Sequence, residues 1–323
     1  MNDLFAHLSR YDSQHWRSAV QSLSTEIHEI DRKATEIWFA FFPLELHLAL
    51  SGAADPEAMA RKLGLMGRWR LGEQIDSSHR FLFAHRYWPQ VKLAIQSYAG
   101  ELPELSVLTR GVAEAAARTA RVDPEFLLGI TAAGLMTLRQ VGPEAFLAAP
   151  GKVQLPARAR ALSPHQILRR RARDDRQGLL GFLRGMKKRW TVTFDENDSE
   201  ASFSLIEGQE IATAAQSDKR EYRSRDGRCI PGEGPIPVEC RAASCGTCWI
   251  GILAGAEKLS PVVERDERRR MKVFGYADTA EERPLIRLAC QARAHGAVSI
   301  VIPPWNGMLG PGFTRRAEPT ARD

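Results

Sequence analysis

The sequence predicts an α+β protein, in which an all-helical region precedes a region built mainly of β-strands. In the first part of the chain, apolar residues recur at steps of three and four, which is the period of one helix face. Further along, Trp190, Val192 and Phe194 alternate with polar residues, and Phe203 and Leu205 do so after an acidic turn, as in a β-hairpin. The length of 323 residues suits about two domains.

Several helices can be placed in the first part of the chain. From Gln14 to Phe41 the apolar residues follow one face, which predicts a long helix that Pro43 interrupts. Asp-Pro-Glu occurs at 55–57 and again at 123–125, and each predicts a helix start with Asp as the N-cap and Pro at the first helical position. Further helices are expected from about Ser78 to Tyr98 and from Glu104 to Arg121.

The later part of the chain alternates short strands and helices. After the hairpin we expect a short helix at Gln209–Gln216, strands at Thr247–Leu253 and Ala297–Ile302, and a helix between these strands that opens at Ser260-Pro261. The predicted division of the chain is a helical docking or oligomerisation domain at 1–150, a basic linker at 151–189, a strand-rich domain at 190–305 and a C-terminal tail at 306–323.

Composition and the N-terminal residues limit the class of protein. With 44% hydrophobic and 26% charged residues, the chain falls in the range of packed globular proteins. The N-terminus has no basic segment followed by an apolar core, and the longest apolar stretch, Phe126–Leu138, is too short to cross a bilayer. We therefore expect a cytoplasmic protein, free or at the periphery of a membrane complex.

No G-x-G-x-x-G or P-loop follows a predicted strand, which argues against a built-in nicotinamide or flavin domain.

Positive charge is concentrated in the linker. Between Ala157 and Arg189 there are 11 Lys or Arg against 2 Asp or Glu, a balance of +9, whereas Trp190–Trp305 has 15 against 18, a balance of −3. The linker is interpreted as a solvated connector with a short amphipathic helix around Gln166–Leu183. A docking surface for an acidic redox partner is the sharper alternative. Nucleic acid is the weakest candidate, because aromatic residues and recognised binding motifs are nearly absent there.

All five cysteines lie in the last third of the chain, and four of them form an unevenly spaced cluster, which indicates metal or redox chemistry in a protein without an export signal. Cys240, Cys245 and Cys248 have the spacing C-x4-C-x2-C, and Cys290 offers a fourth thiolate. This is the ligand spacing of a [2Fe–2S] cluster, which needs four thiolates. Zinc is the alternative, but zinc sites generally use paired C-x2–4-C knuckles, and only one such pair is clear. The fifth cysteine, Cys229, is interpreted as a free thiol.

The residues between these cysteines suit a loop that folds tightly around bridging sulfides. The backbone N–H groups of such a loop must approach the sulfur atoms, and small side chains allow that approach. The predicted cofactor-binding residues are Arg241, Ala242, Ala243, Ser244, Gly246 and Thr247.

From about residue 190 to 304 the chain resembles a plant-type [2Fe–2S] ferredoxin with the β-grasp fold. Besides the cysteine loop, the resemblance is carried by Ile236–Cys240, which leads into the loop, by Leu259–Pro261, and by Arg287–Gln291 around the last cysteine. Two departures from the family make partner recognition less predictable. One is an insertion at Ser217–Glu233 that holds Cys229, and the other is a longer interval of 41 residues before Cys290.

The resemblance implies a single [2Fe–2S] cluster and a role in one-electron transfer. Cys240 and Cys245 would bind one iron, and Cys248 and Cys290 the other, which leaves no cysteine set for a second cluster. The potential would be on the order of −400 mV for a plant-like site. The chain is then an electron carrier or an electron-transfer subunit that does not itself convert a substrate.

The helical domain is expected to dock a redox partner or a larger oxidoreductase, or to form a homo-oligomer. The alternative from another class is an iron–sulfur redox sensor, whose cluster state controls partner binding by the helical domain. A third interpretation is a helical enzyme with its own haem or di-iron site, since histidines and glutamates are frequent there. The Glu-x-x-His pair of di-iron bundles is absent, because Glu26 and Glu29 bracket His28 at the wrong offset. Surface or hydrogen-bonded histidines are therefore favoured.

Overall fold

The computed structural model describes residues 1–174, 188–273 and 281–307. The chain divides into two compact units. One contains Met1–Ala49 and Arg70–Pro164, and the other contains Leu50–Trp69 together with the described residues from His165 onward. The first unit is helical, and every strand of the described ranges lies in the second, so the predicted α+β class is confirmed.

Helices occupy most of the first unit, and short helices also occur in the second. Short 3-10 helices lie at Leu71–Gln74, Phe83–Tyr87 and Pro124–Phe126 in the first unit and at Ala256–Lys258 in the second. The α-helices of the described residues are α1 (Asn2–Leu8), α2 (Ser13–Leu23), α3 (Glu29–Phe41), α4 (Leu44–Ser51), α5 (Pro56–Leu63), α6 (Trp88–Gln96), α7 (Leu105–Ala120), α8 (Leu128–Ala148), α9 (Ala157–Arg160), α10 (Pro164–Arg170), α11 (Ile211–Ala215) and α12 (Arg269–Val273).

The predicted long helix from Gln14 to Phe41 is wrong, because the chain breaks between α2 and α3. The ring of His28 accepts a hydrogen bond from the Ile30 N–H and so caps α3. The guanidinium of Arg32 donates to the carbonyls of Ser24 and Ile27, which fixes the turn between the two helices. A polar side chain that bonds to the backbone competes with helix continuation, and apolar periodicity does not report it.

The other predicted helix starts have mixed outcomes. Asp55 caps α5 by accepting from the Ala58 N–H, as predicted, whereas Asp123 precedes a 3-10 helix of three residues and makes no side-chain cap. The helix predicted from Ser78 begins only at Trp88. Upstream of it, the buried carboxylate of Asp31 accepts from the N–H groups of Phe83 and Ala84 at 2.6 and 2.8 Å, which holds this stretch in a 3-10 turn.

A mixed five-stranded sheet forms the centre of the second unit. Its order is β2-β1-β7-β4-β5, in which β1 and β7 run parallel and the other neighbours run antiparallel. The five-residue α11 packs against β2, and β3 pairs with β6 outside the main sheet. The strands are β1 (Arg189–Thr193), β2 (Ser202–Ile206), β3 (Gln209–Glu210), β4 (Trp249–Ala254), β5 (Ile286–Leu288), β6 (Arg293–Ala294) and β7 (Val298–Val301).

Residues 50–69 join the strand-containing unit, although the sequence places them in the helical domain. The extended segment after α5 meets the chain that follows β7: the Arg68 N–H donates to the Pro304 carbonyl at 2.8 Å, and the Asn306 N–H donates to the Met66 carbonyl at 3.1 Å. The Asn306 amide also donates to the Gly64 carbonyl at 2.8 Å. These bonds join positions about 240 residues apart, which local sequence patterns do not report.

The contact between the segment after α5 and the chain after β7 is expected to be sensitive to a methyl group added at Gly67. Both Gly64 and Gly67 have left-handed φ angles, of 65° and 84°, but a Cβ at Gly67 would lie 2.6 Å from the Pro304 carbonyl oxygen, whereas a Cβ at Gly64 would meet nothing within 4 Å. We expect Gly64→Ala to cost about 1 kcal/mol of unfolding free energy from strain alone, and Gly67→Ala about 2–4 kcal/mol from strain and overlap. Denaturant unfolding of both variants measures the difference, and equal losses would contradict the close contact.

The predicted linker at 151–189 contributes to both units. Residues 151–164 belong to the helical unit, and residues 165–174 belong to the strand-containing unit. The predicted amphipathic helix at Gln166–Leu183 corresponds in part to α10, and its later half lies outside the described residues. In the predicted tail at 306–323, Asn306 is buried, and the residues beyond 307 are likewise outside the described ranges.

Candidate metal centre

The loop that carries three of the four predicted ligands is folded tightly by left-handed residues. Arg241 and Ala243 have φ angles of 54° and 55°, and Gly246 has a φ of 73°. Two non-glycine residues in this conformation within three positions are uncommon, and each costs free energy that the folded loop must offset. The consequence is a chain that curls inward around Cys240 and Cys245.

Backbone N–H groups converge on the sulfur atoms inside this curl. The N–H groups of Ala242, Ser244 and Cys245 lie 3.4, 3.2 and 3.2 Å from Cys240 Sγ, in hydrogen-bonding geometry. The Thr247 N–H donates to Cys245 Sγ at 3.5 Å. Hydrogen bonds of this kind stabilise negative charge on sulfur. Of the predicted cofactor-binding residues, Ala242, Ser244 and Thr247 thus direct backbone N–H groups at sulfur.

The four thiols are arranged as two pairs. Cys240 and Cys245 are hydrogen-bonded to each other and partly exposed, whereas Cys248 and Cys290 are hydrogen-bonded to each other and only 2% and 3% exposed. The pairs also interact electrostatically, Cys290 with Cys240 and Cys248 with Cys245. The structure therefore brings together all four cysteines that the sequence singles out, and leaves Cys229 apart from them, buried, with its Sγ 3.5 Å from the Pro235 carbonyl.

The environment lowers the pKa of one thiol in each pair. Burial raises the pKa of Cys240, but hydrogen bonds from Ser244, Ala242 and Cys245 outweigh it and bring the pKa down to about 6. The hydrogen bond from the Cys248 thiol lowers the pKa of Cys290 to about 7, against the opposing effect of burial. By contrast, burial raises the pKa of Cys229 to about 11. Thiolates, the form that binds metals, are thus favoured at Cys240 and Cys290. They are disfavoured at Cys248, whose hydrogen bond to Cys290 and burial raise its pKa, and at Cys229.

A buried ion pair fixes the strand that leads to Cys290. Arg287, on β5, donates from Nε and Nη2 to the two carboxylate oxygens of Glu267 at 2.8 and 2.9 Å, and both side chains have no exposed surface. Glu267 Oε1 also accepts from the Leu288 N–H at 2.7 Å, and Arg287 Nη1 donates to the Ser260 carbonyl. Every strong donor of this pair therefore has a partner, which a buried charge pair requires.

Further contacts position the cysteines and the loop. Gln291 donates from its side-chain amide towards Cys290 Sγ at 3.5 Å, and the Ala289 N–H donates to the Cys248 carbonyl at 2.9 Å. At the exposed edge, Arg241 forms an ion pair with Glu233 at 2.7 Å, which joins the loop to the insertion. Sequence reasoning missed Glu267, because it stands in the run ERDERRR, which has the composition of an exposed segment.

The arrangement suits a binuclear iron–sulfur cluster. Such a cluster takes two thiolates on each iron and carries negative charge that N–H groups stabilise. The thiol pairs and the converging N–H donors match both requirements. Within the described ranges, no group of three or more His, Cys, Asp or Glu side chains is arranged as the ligand set of one metal ion.

The histidines of the helical unit make structural contacts. Nδ1 of His79 lies 2.9 Å from Nδ1 of His85, and both rings are buried. Burial, with the nearby charge of Arg80, lowers the pKa of His85 to about 4, and burial together with the neighbouring His85 also lowers the pKa of His79 well below its usual range. The contact is a hydrogen bond between two neutral rings, in which the Nδ1–H of one ring donates to Nδ1 of the other.

The mixed sheet and the paired thiols define a ferredoxin-type iron–sulfur module. Consistent with that class, residues 231–295 match the family model of the 2Fe-2S iron-sulfur cluster binding domain. The match spans all four paired cysteines and indicates 2Fe–2S cluster binding by this part of the chain. No curated protein and no solved structure matches the chain. None of the described helices is both long and apolar enough to cross a lipid bilayer.

Proposed function

We propose that the chain is a one-electron carrier, or the electron-transfer subunit of a larger oxidoreductase, with a single [2Fe–2S] cluster held by Cys240, Cys245, Cys248 and Cys290. The observation that carries this proposal is the pairing of the thiols beneath a loop whose N–H groups point at sulfur. When bound, such a cluster supplies a one-electron oxidation and reduction.

The protein residues would set the conditions for that electron transfer. The N–H groups of Ala242, Ser244 and Cys245 stabilise charge at Cys240, which favours the reduced state. Burial of Cys248 and Cys290 keeps water from the inner pair. The outer pair lies below the exposed residues Ala242 and Ser244, so a partner can approach the cluster there.

A reductive titration tests this function. The reconstituted protein is expected to take up about one electron per chain, near −400 mV if the site is plant-like, and to return it to a one-electron acceptor. The Cys229→Ser variant, which keeps all four proposed ligands, is the matched control and should titrate in the same way. A preparation that carries the cluster but exchanges no electrons with small acceptors would contradict the proposed role. Cluster reduction that alters binding by the helical unit would favour the redox-sensor alternative.

A further inference from the structure

Within the basic linker, residues 171–174 form polar contacts with other residues of the strand-containing unit. Arg171 forms a two-fold hydrogen-bonded ion pair with Glu196, at 2.8 Å for both contacts, and their side chains are only 7% and 14% exposed. The next residue, Ala172, donates its N–H to Ser299 Oγ at 3.2 Å. An ion pair with this geometry and burial holds its chain segment more firmly than exposed pairs do.

Asp174 adds a second attachment two residues later. Its Oδ1 accepts from the Ala297 N–H at 2.9 Å and from Lys258 Nζ at 2.8 Å, and the same lysine donates to the Ala172 carbonyl at 2.6 Å. Residues 171–174 are therefore part of the folded unit and not a solvated tether. Any side chain that projects outward from this stretch is presented at a fixed place on the surface.

Three arginines project outward beside this attachment. Arg169, Arg170 and Arg173 are exposed, and none of them pairs with a carboxylate in the part of the chain that the structure describes. Their neighbour Arg171 differs, because its charge is neutralised by Glu196. The surface thus carries three guanidinium groups that have no carboxylate partner among the described residues, next to a segment bonded to the strands.

The arginines lie away from the cluster loop. Strand β4 begins next to Cys248, and Gly255 follows its other end. A Cβ on Gly255 would lie 3.2 Å from the Cβ of Ala172. Residues 171–174 therefore lie next to the end of β4 that is farther from Cys248. At about 3.3 Å per residue, the strand separates the two places by roughly 20 Å. A partner bound to the arginines would leave the outer thiol pair accessible.

We propose that Arg169, Arg170 and Arg173 form a docking surface for an acidic face of a second protein. Guanidinium groups bind carboxylates through paired hydrogen bonds, and exposed charge of one sign selects a partner of the other sign. A lipid surface fits less well, because Ile167 of α10 is buried and Leu168 is only half-exposed, so the helix presents no fully exposed apolar side chain to insert. Nucleic acid fits less well too, because His165 is the one aromatic-type ring in residues 165–174.

The surface can be tested with a fluorescent glutamate-rich peptide as the probe, added to the full, cluster-loaded chain at low salt. The combined variant Arg169→Glu, Arg170→Glu, Arg173→Glu should bind the peptide at least about tenfold more weakly than the unmodified chain. The control variant Lys33→Glu, Arg61→Glu, Arg223→Glu makes the same change in net charge at exposed, scattered positions and should lose no more than about twofold. Anionic vesicles and a single-stranded oligonucleotide are tested in parallel.

The two variants distinguish binding at a local arginine surface from binding that depends only on the net charge of the protein. Selective loss of peptide binding in the arginine variant supports the proposal. Equal losses in the two variants, or no binding of the peptide by the unmodified chain, would overturn it. A dependence on the three arginines that is stronger for vesicles or for the oligonucleotide would also overturn it, by assigning the surface to lipid or nucleic acid. Cluster content, measured in each sample, keeps this result independent of the electron-transfer proposal.

Discussion

Replacing Cys290 with alanine is expected to abolish cluster binding, as judged by the loss of visible absorbance and of acid-labile sulfide after anaerobic reconstitution. Cys290 is 3% exposed and forms the inner thiol pair with Cys248, so no solvent ligand or neighbouring side chain can readily take its place. An iron that lacks one of its two thiolates is not held stably in a four-thiolate cluster.

The matched control for this experiment is Cys229→Ala, which removes a thiol with similar burial. Cys229 makes its contact with Pro235 and has a pKa raised to about 11 by burial, so it is a poor metal ligand. We expect this variant to keep its full cluster content. Cys245→Ala removes a proposed ligand from the half-buried outer pair and should also lose the cluster. Loss in this variant would show that the loss in Cys290→Ala is not caused by misfolding around the inner pair alone. A normal cluster in Cys290→Ala, or cluster loss in Cys229→Ala, would contradict the ligand assignment.

Glu267→Gln is expected to lower the unfolding free energy by about 3–5 kcal/mol, because it leaves the Arg287 guanidinium buried without a counter-charge. Both side chains are fully buried, and Glu267 also accepts from the Leu288 N–H on the strand that leads to Cys290. Denaturant unfolding, followed by cluster absorbance and by tryptophan fluorescence, measures the loss.

An exposed ion pair of the same unit provides the control. Arg293 and Glu210 lie 3.2 Å apart, with side chains that are 59% and 35% exposed, so Glu210→Gln should cost no more than about 1 kcal/mol. The double variant Glu267→Leu, Arg287→Met should recover much of the stability lost in Glu267→Gln, since apolar residues can replace a buried pair. Equal effects of Glu267→Gln and Glu210→Gln would show that burial of the pair does not govern its contribution.

The strand-containing unit could be predicted well from the sequence because its signals are local. Alternation at Trp190, Val192 and Phe194 marked β1, and the hairpin partner followed from Phe203 and Leu205. The cysteine spacing likewise identified the four thiols that the fold brings together, since the loop that carries three of them is only nine residues long. Both the hairpin and the cysteine loop could be predicted because the residues that form each of them lie close together in the sequence.

What the sequence did not predict depends on contacts between distant positions. The buried carboxylate of Asp31 shapes the turn at Phe83, 52 residues later, and no periodicity reports such a bond. The pairing of Met66 with Asn306 moves a segment of the helical half into the other unit. Glu267 stands in a charged run that predicts exposure, and its burial depends on Arg287, which lies 20 residues away.

The most direct test of a single [2Fe–2S] cluster on these cysteines is metal and sulfide analysis of the reconstituted protein, combined with EPR of its reduced form. We predict about two irons and two acid-labile sulfides per chain, together with an EPR signal that integrates to about one unpaired electron. Stoichiometric zinc without sulfide, or iron and sulfide near four per chain, would contradict the account.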